Sequence, residues 1–204
     1  MAHIPDGVLS LPVVAGGWAV AAGMVGVSLR RLTEAAIPGT AVLSAAFFTV
    51  SLIAVPVGPS SVHLLLSGLM GLMIGPLTAP AVMIGLALQT LLFGFGGLTT
   101  LGINTVNIAL PGILIGLVLG PMVRRAGPAR AGLLAGVGAG LAVLATGGAV
   151  AAALALSSSD YIPSAKVLLV TYLPLMIGEG VITGFAIAFL KRVKPDALMG
   201  AAVS

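Results

Sequence analysis

Long apolar runs, closed at one recurring side by pairs of basic residues, constrain this chain more than any other feature. Residues 11–29 end at Arg30-Arg31, residues 106–123 end at Arg124-Arg125, and residues 167–190 end at Lys191-Arg192. Only 7% of the chain is charged and 59% is hydrophobic, where a soluble domain carries about 25% charged residues. An ordinary soluble core is excluded, and the 204 residues read as one polytopic membrane domain. About 20 apolar residues cross a bilayer core. On that measure seven spans are expected, at residues 11–29, 39–57, 63–77, 79–95, 106–123, 131–156 and 167–190, with 63–77 short and tilted or partly buried.

Basic residues set the expected orientation. With the amino terminus outside and the spans alternating, eight of the nine Lys and Arg residues fall on the cytoplasmic side, and only Lys166 falls outside. That obeys the positive-inside rule, and an even number of spans breaks it. The expected fold class is therefore all-α, a bundle of seven transmembrane helices with the amino terminus outside and the carboxy terminus cytoplasmic. Residues 1–204 form one membrane domain: a 1–10 amino-terminal segment, an 11–190 bundle and a 191–204 cytoplasmic tail. The terminus is no signal peptide, since it lacks a basic start and carries Asp6.

The chain has two histidines and no cysteine, so disulfides, thiolate zinc sites and iron–sulfur clusters are excluded. The expected topology puts His3 and His63 on the same outer face. An imidazole this near a free amine can close a chelate. If Met1 is removed, the Ala2 amine, the His3 amide and the His3 Nδ1 make three nitrogen donors, and His63 makes the fourth. If Met1 is kept, its amine, two amides and Nδ1 already make four, and His63 adds an axial contact. The first arrangement uses both rings better and is preferred. Such all-nitrogen, tetragonal geometry suits Ni(II) or Cu(II), with Co(II) weaker. Pro5 stiffens the tail, and Asp6-Gly7 is a turn signal that aims it back at the bundle.

Other polar residues sit in or beside spans. Gln89, Asn104 and Asn107 flank a glycine-rich stretch expected to be an irregular outer loop at 96–107, folded inward. Their amides are candidates to orient an imidazole, against ordinary helix–helix hydrogen bonding. Glu179 is the lone carboxylate inside a span and a functional candidate of unknown role. Small residues recur at helical spacing, as in Ala15/Ala19/Gly23, Gly132/Gly136/Gly140 and Gly180/Gly184, for close packing inside the bundle or against another membrane subunit. No phosphate-binding loop, His-Glu-x-x-His or paired carboxylates occur. A saturated nitrogen site suits carriage rather than catalysis, so no enzyme activity is expected. Sparse basic residues and 4% aromatics argue against nucleic-acid binding.

The chain resembles the CbiM/NikM family, the substrate-binding membrane subunits of cobalt and nickel energy-coupling-factor (ECF) transporters. The resemblance rests on His3-Ile4-Pro5-Asp6-Gly7 and Ser61-Val62-His63. It continues through Gln89…Leu92-Phe93-Gly94…Gly97, Leu101-Gly102-Ile103-Asn104 and Gly178-Glu179-Gly180…Ile182-Thr183-Gly184. It implies a seven-helix fold whose amino terminus plugs into the bundle. It further implies metal held by the terminal amine, a backbone nitrogen, the His3 ring and His63. The family usually begins Met-His; removal of Met1 brings His3 to the matching mature position. The implied partners are a transmembrane coupling subunit, cytoplasmic ATPase subunits and a small accessory membrane subunit, in the lipid of a prokaryotic inner membrane. The implied cargo is Co(2+) or Ni(2+), with no organic cofactor. Cobalt, for cobalamin synthesis, is favoured over nickel because the chain stops soon after its last span.

Overall fold

The computed structural model describes residues 3–53, 55–57 and 60–198. Seven α-helices follow in order: α1 Leu11–Leu29, α2 Ile37–Ser51, α3 Ser67–Ile74, α4 Thr78–Phe93, α5 Leu101–Arg125, α6 Pro128–Ser157 and α7 Ile162–Val193. Between α2 and α3 a small antiparallel hairpin, β1 Val55–Val57 and β2 Ser60–Val62, pairs Val55 with Val62 and Val57 with Ser60. Proline stands in the first turn of α1, α2, α6 and α7, where its missing N–H is no loss and its fixed φ suits the helix.

Six helical stretches are long and apolar enough to cross a membrane. The expected third span, 63–77, is not one of them. Only the eight residues of α3 are α-helical there, a rise of about 12 Å against a hydrocarbon core of about 30 Å. A short turn, Gly75–Leu77, links α3 to α4, and the two count as one apolar stretch, Ser67–Phe93. Gly75 takes φ 53° in that turn, which its missing side chain permits. The approach to α3, His63 to Leu66, is non-helical chain that turns at Leu66, and its last two residues are buried: Leu65 is 0% and Leu66 5% exposed. Non-helical backbone at membrane depth requires such cover.

α3 and α4 form the centre. The most apolar 18-residue window within Ser67–Phe93 is 72% buried, against 17% for that of α1. The core joins Leu65 and Met70 to Phe47, Val82, Ile108, Val143 and Tyr172. Close approach of α3 and α5 is made by glycine: a Cβ on Gly71, Gly112 or Gly116 collides with backbone of the facing helix. α6 and α7 meet the same way, Gly132 and Gly136 lying against the carbonyls of Gly184 and Gly180. Those stripes pack internally. The α1 stripe does not: Ala15, Ala19 and Gly23 are exposed, and α1 packs through Gly17, against Ile103, and Ala21.

The bundle has two distinct ends. Lys191 Nζ donates to Arg124 O at 2.7 Å, gathering the basic C-terminal turns of α5 and α7. Ser28 Oγ donates to Pro76 O at 2.7 Å, fixing the end of α1 to the turn before α4. At the opposite end Ser10 N donates to Ser157 Oγ at 3.1 Å, and Trp18 Nε1 to Thr99 O at 2.9 Å.

One expectation about α5 is corrected. The 96–107 stretch is loop only as far as Thr100, because α5 starts at Leu101 and both Asn104 and Asn107 lie within it. The cause is a distant carboxylate. Asp6 accepts from the amides of Leu98, Thr99 and Thr100, at 3.2, 3.0 and 3.2 Å. An anion at a helix start satisfies orphan donors and complements the dipole.

A candidate metal centre beneath the amino-terminal tail

Residues 3–10 lie against the end of the bundle that the basic residues avoid. Three attachments hold them. Asp6 takes the amides named above and the Thr99 hydroxyl, at 2.5 Å. Asn104 brackets Ile4: Ile4 N donates to Asn104 Oδ1 at 3.1 Å, and Asn104 Nδ2 donates to Ile4 O at 3.0 Å. Thr100 Oγ1 also donates to Ile4 O, at 2.7 Å. The Ile4 side chain packs with Val150, Ala153 and Leu154 of α6. Gly97 and Gly96 leave room for the tail: a Cβ on Gly97 collides with Asp6, and one on Gly96 comes within 3.3 Å of the His3 Cβ.

These attachments carry His3 inward. It is 5% exposed and His63 is 4% exposed, and their rings stack with centroids 4.8 Å apart and planes 22° apart. Sixty residues of chain separate them in sequence. Both ring nitrogens of His3 are buried with no hydrogen-bond partner among the described residues. His63 Nδ1 lies 3.2 Å from Leu64 O. In the tautomer protonated at Nδ1 it donates there, an arrangement common to metal-bound histidine.

Burial, and then the neighbouring His63, push His3 down to about 3 and keep its ring neutral. Neutral imidazole is the form that binds metal. No group of three His, Cys, Asp or Glu side chains gathers among the described residues, so a complete site here requires donors other than side chains. The expected ones, the amine of Ala2 or of Met1, lie outside the described residues.

The same shift predicts how the metal-free tail responds to acid. The released His3 ring takes up a proton below about 6.5, whereas the docked ring does so only near 3. Its contribution to docking is complete above pH 6.5 and is lost as pH falls towards 3. Across that window each unit weakens docking up to about tenfold. Trp18, the one tryptophan, is bonded to Thr99 beside Asp6 and reports the change. Its emission is expected to hold constant above pH 6.5 and to shift below it; a flat response down to pH 4 refutes the shift.

The remaining candidates divide. Asn104 holds the backbone beside His3 rather than a ring. Gln89 ties α4 to α2, its Nε2 donating to Phe48 O at 3.2 Å and to Ser51 Oγ, which is the ordinary helix–helix role. Asn107 is buried, with Nδ2 lacking a partner among the described residues, and Pro111 removes the helix bond that would reach its carbonyl. Glu179 faces the backbone after His63: Oε1 accepts from Leu65 N, and from Leu66 N at 2.8 Å. Sequence reasoning saw Asp6 as a turn residue and missed it as the tail's latch. Its one signal was a carboxylate, among five acidic residues, three positions from a candidate ligand.

A multi-pass helical membrane protein with two stacked imidazoles buried under its own terminus belongs to the metal-handling class. Comparison with known proteins makes this specific. The CbiM family, described as the cobalt uptake substrate-specific transmembrane region, matches residues 3–197. The chain is 36% identical over 212 aligned positions to the cobalt transport protein CbiM of Sorangium cellulosum, covering 96% of this chain and 94% of that one. It is 33% identical over 130 positions to the fused nickel transport protein NikMN of Rhodobacter capsulatus, covering 61% of this chain and 35% of that one. A solved truncated transition metal transporter superposes with a TM-score of 0.80 at 25% identity, covering 93% of this chain and 98% of that one. The chain belongs to the CbiM family, and is a transmembrane metal transport protein.

Proposed function

We propose that this chain is the substrate-binding subunit of an ATP-driven ECF importer for divalent cobalt, in a prokaryotic inner membrane. The observation that carries the reading is the stacked pair of buried rings, His3 and His63, beneath the docked tail. The amine of Ala2 after loss of Met1, the His3 amide and ring, and the His63 ring supply four nitrogens to one ion. Four fixed nitrogens leave no open position for a reacting water, which suits capture and release.

The tail closes over the ion from outside, because the basic ends of α1, α5 and α7 lie at the far end of the bundle and mark the cytoplasmic face. The hairpin, residues 63–66 and α3 together make a broken seventh crossing. A chain without a phosphate-binding loop draws its energy from partners: a coupling membrane subunit and cytoplasmic ATPases, with a small accessory membrane subunit. Cobalt is favoured because the family description and a relative matched over 94% of its own length name cobalt. Nickel is the second reading, favoured by the donor set, since nitrogen sites bind Ni(II) more tightly than Co(II).

Uptake of radioactive cobalt and nickel tests both, in cells lacking their own importers and supplied with the coupling and ATPase subunits. Cobalt accumulation that excess nickel does not suppress supports the first reading. The reverse supports the second. Extending the chain by four residues before Met1 removes the terminal donor and is expected to reduce uptake to background at unchanged membrane content. Undiminished uptake contradicts the terminal chelate.

A further inference from the structure

Glu179 is fully buried in a span of α7, yet its hydrogen bonds go to the extended segment that carries His63, more than a hundred residues away. One carboxylate oxygen accepts two consecutive amides, Leu65 N and Leu66 N. Leu66 has φ 50°, a left-handed conformation uncommon for leucine. It immediately precedes α3. Without a helix of its own, this turn has no ladder to satisfy its N–H groups, and membrane depth offers no water. Consecutive amides converging on one point form an anion cradle, here filled from α7. His63 stands two residues before the first pinned amide, so the carboxylate sets where β2 ends and α3 begins, and with it the position of the ring.

We propose that Glu179 is the positioning residue of the metal site: by holding the Leu65 and Leu66 amides it places the His63 ring over His3. The inference rests on the reading of His3 and His63 as ligands of one ion. An acceptor oxygen is what the position needs, and glutamine retains one. The second carboxylate oxygen, Oε2, lacks a hydrogen-bond partner among the described residues, so the support runs through Oε1 alone.

The test uses the full chain purified in detergent and titrated with Cu(II) and Ni(II) alone, read by affinity and by nitrogen splitting in the Cu(II) electron paramagnetic resonance spectrum. Glu179→Gln is expected to keep the two-imidazole spectrum and an affinity within a few-fold of wild type. Glu179→Ala is expected to bind about 10–100-fold more weakly, as loss of an outer support does, and to take on the spectrum of His63→Ala. A folded Glu179→Ala protein with wild-type affinity and spectrum overturns the proposal. If that variant fails to fold, Glu179→Asp decides: the same charge, one methylene shorter, loses the second imidazole if the proposal holds and keeps it if the proposal is wrong. Rescue failing in Glu179→Gln, with the fold intact, also overturns it. His63→Ala run in parallel separates the two claims, since an unchanged His63→Ala spectrum removes the ligand reading itself, whereas a changed one beside an unaltered Glu179→Ala spectrum removes only this inference.

Discussion

His3→Ala is expected to enter the membrane and fold at wild-type levels while losing its metal site. The ring is a donor in every arrangement of the terminal chelate, and replacing it removes an imidazole that has no other task. Both of its nitrogens lack partners among the described residues, so no structural hydrogen bond is lost with them. The drop in affinity is expected to exceed the roughly 100-fold ceiling for outer-sphere changes, and uptake should fall to background. Stability is expected to change little. The tail remains anchored by Ile4 to Asn104 and Thr100 and by Asp6 to residues 98–100. Isothermal titration with Ni(II) and a thermal melt check the two halves. Retained affinity removes His3 from the site.

The second large effect lies in the scaffold. Gly71→Leu is expected to destroy the packing of α3, because a Cβ at Gly71 meets the backbone of Gly112, with the Gly112 Cα at 3.1 Å. Backbone cannot swing aside as a side chain can, so the strain is expected to exceed the usual 1–3 kcal/mol of an overpacked core, roughly. α3 is also the base on which Leu66 and His63 stand, so metal binding should fail with it. Gly23→Leu is the matched control. Gly23 is exposed on α1, and its Cβ meets nothing within 4 Å, so a bulky side chain there extends into lipid. A melt that separates the two substitutions supports the glycine seam, and equal melts contradict it.

Sequence periodicity reaches the long helices and the pairing of the histidines, and misses what tertiary contacts decide. Runs such as Leu11–Leu29 need only apolar length to be recognised. The two rings could be brought to one end because basic residues mark the other. The start of α5 was hidden, since Gly102 and Asn104 are loop signals locally, and the carboxylate that lets the helix begin at Leu101 comes from Asp6. The shortness of α3 was hidden too, because apolar residues 64–66 satisfy a hydropathy window whether helical or extended. Glu179 was visible as an anomaly. Its partners were not, since backbone amides leave no trace in sequence. Nor did spacing reveal which small-residue stripes face inward: Ala15/Ala19/Gly23 and Gly132/Gly136/Gly140 look alike until the bundle is assembled.

The common ion of His3 and His63 is tested most directly by counting imidazoles on bound Cu(II). Pulsed electron paramagnetic resonance of the loaded protein distinguishes one coordinated ring from two through the remote ring nitrogens. Two rings are expected in the wild-type chain, and one in His63→Ala. A single ring in wild type, or a spectrum that His63→Ala leaves untouched, contradicts the account.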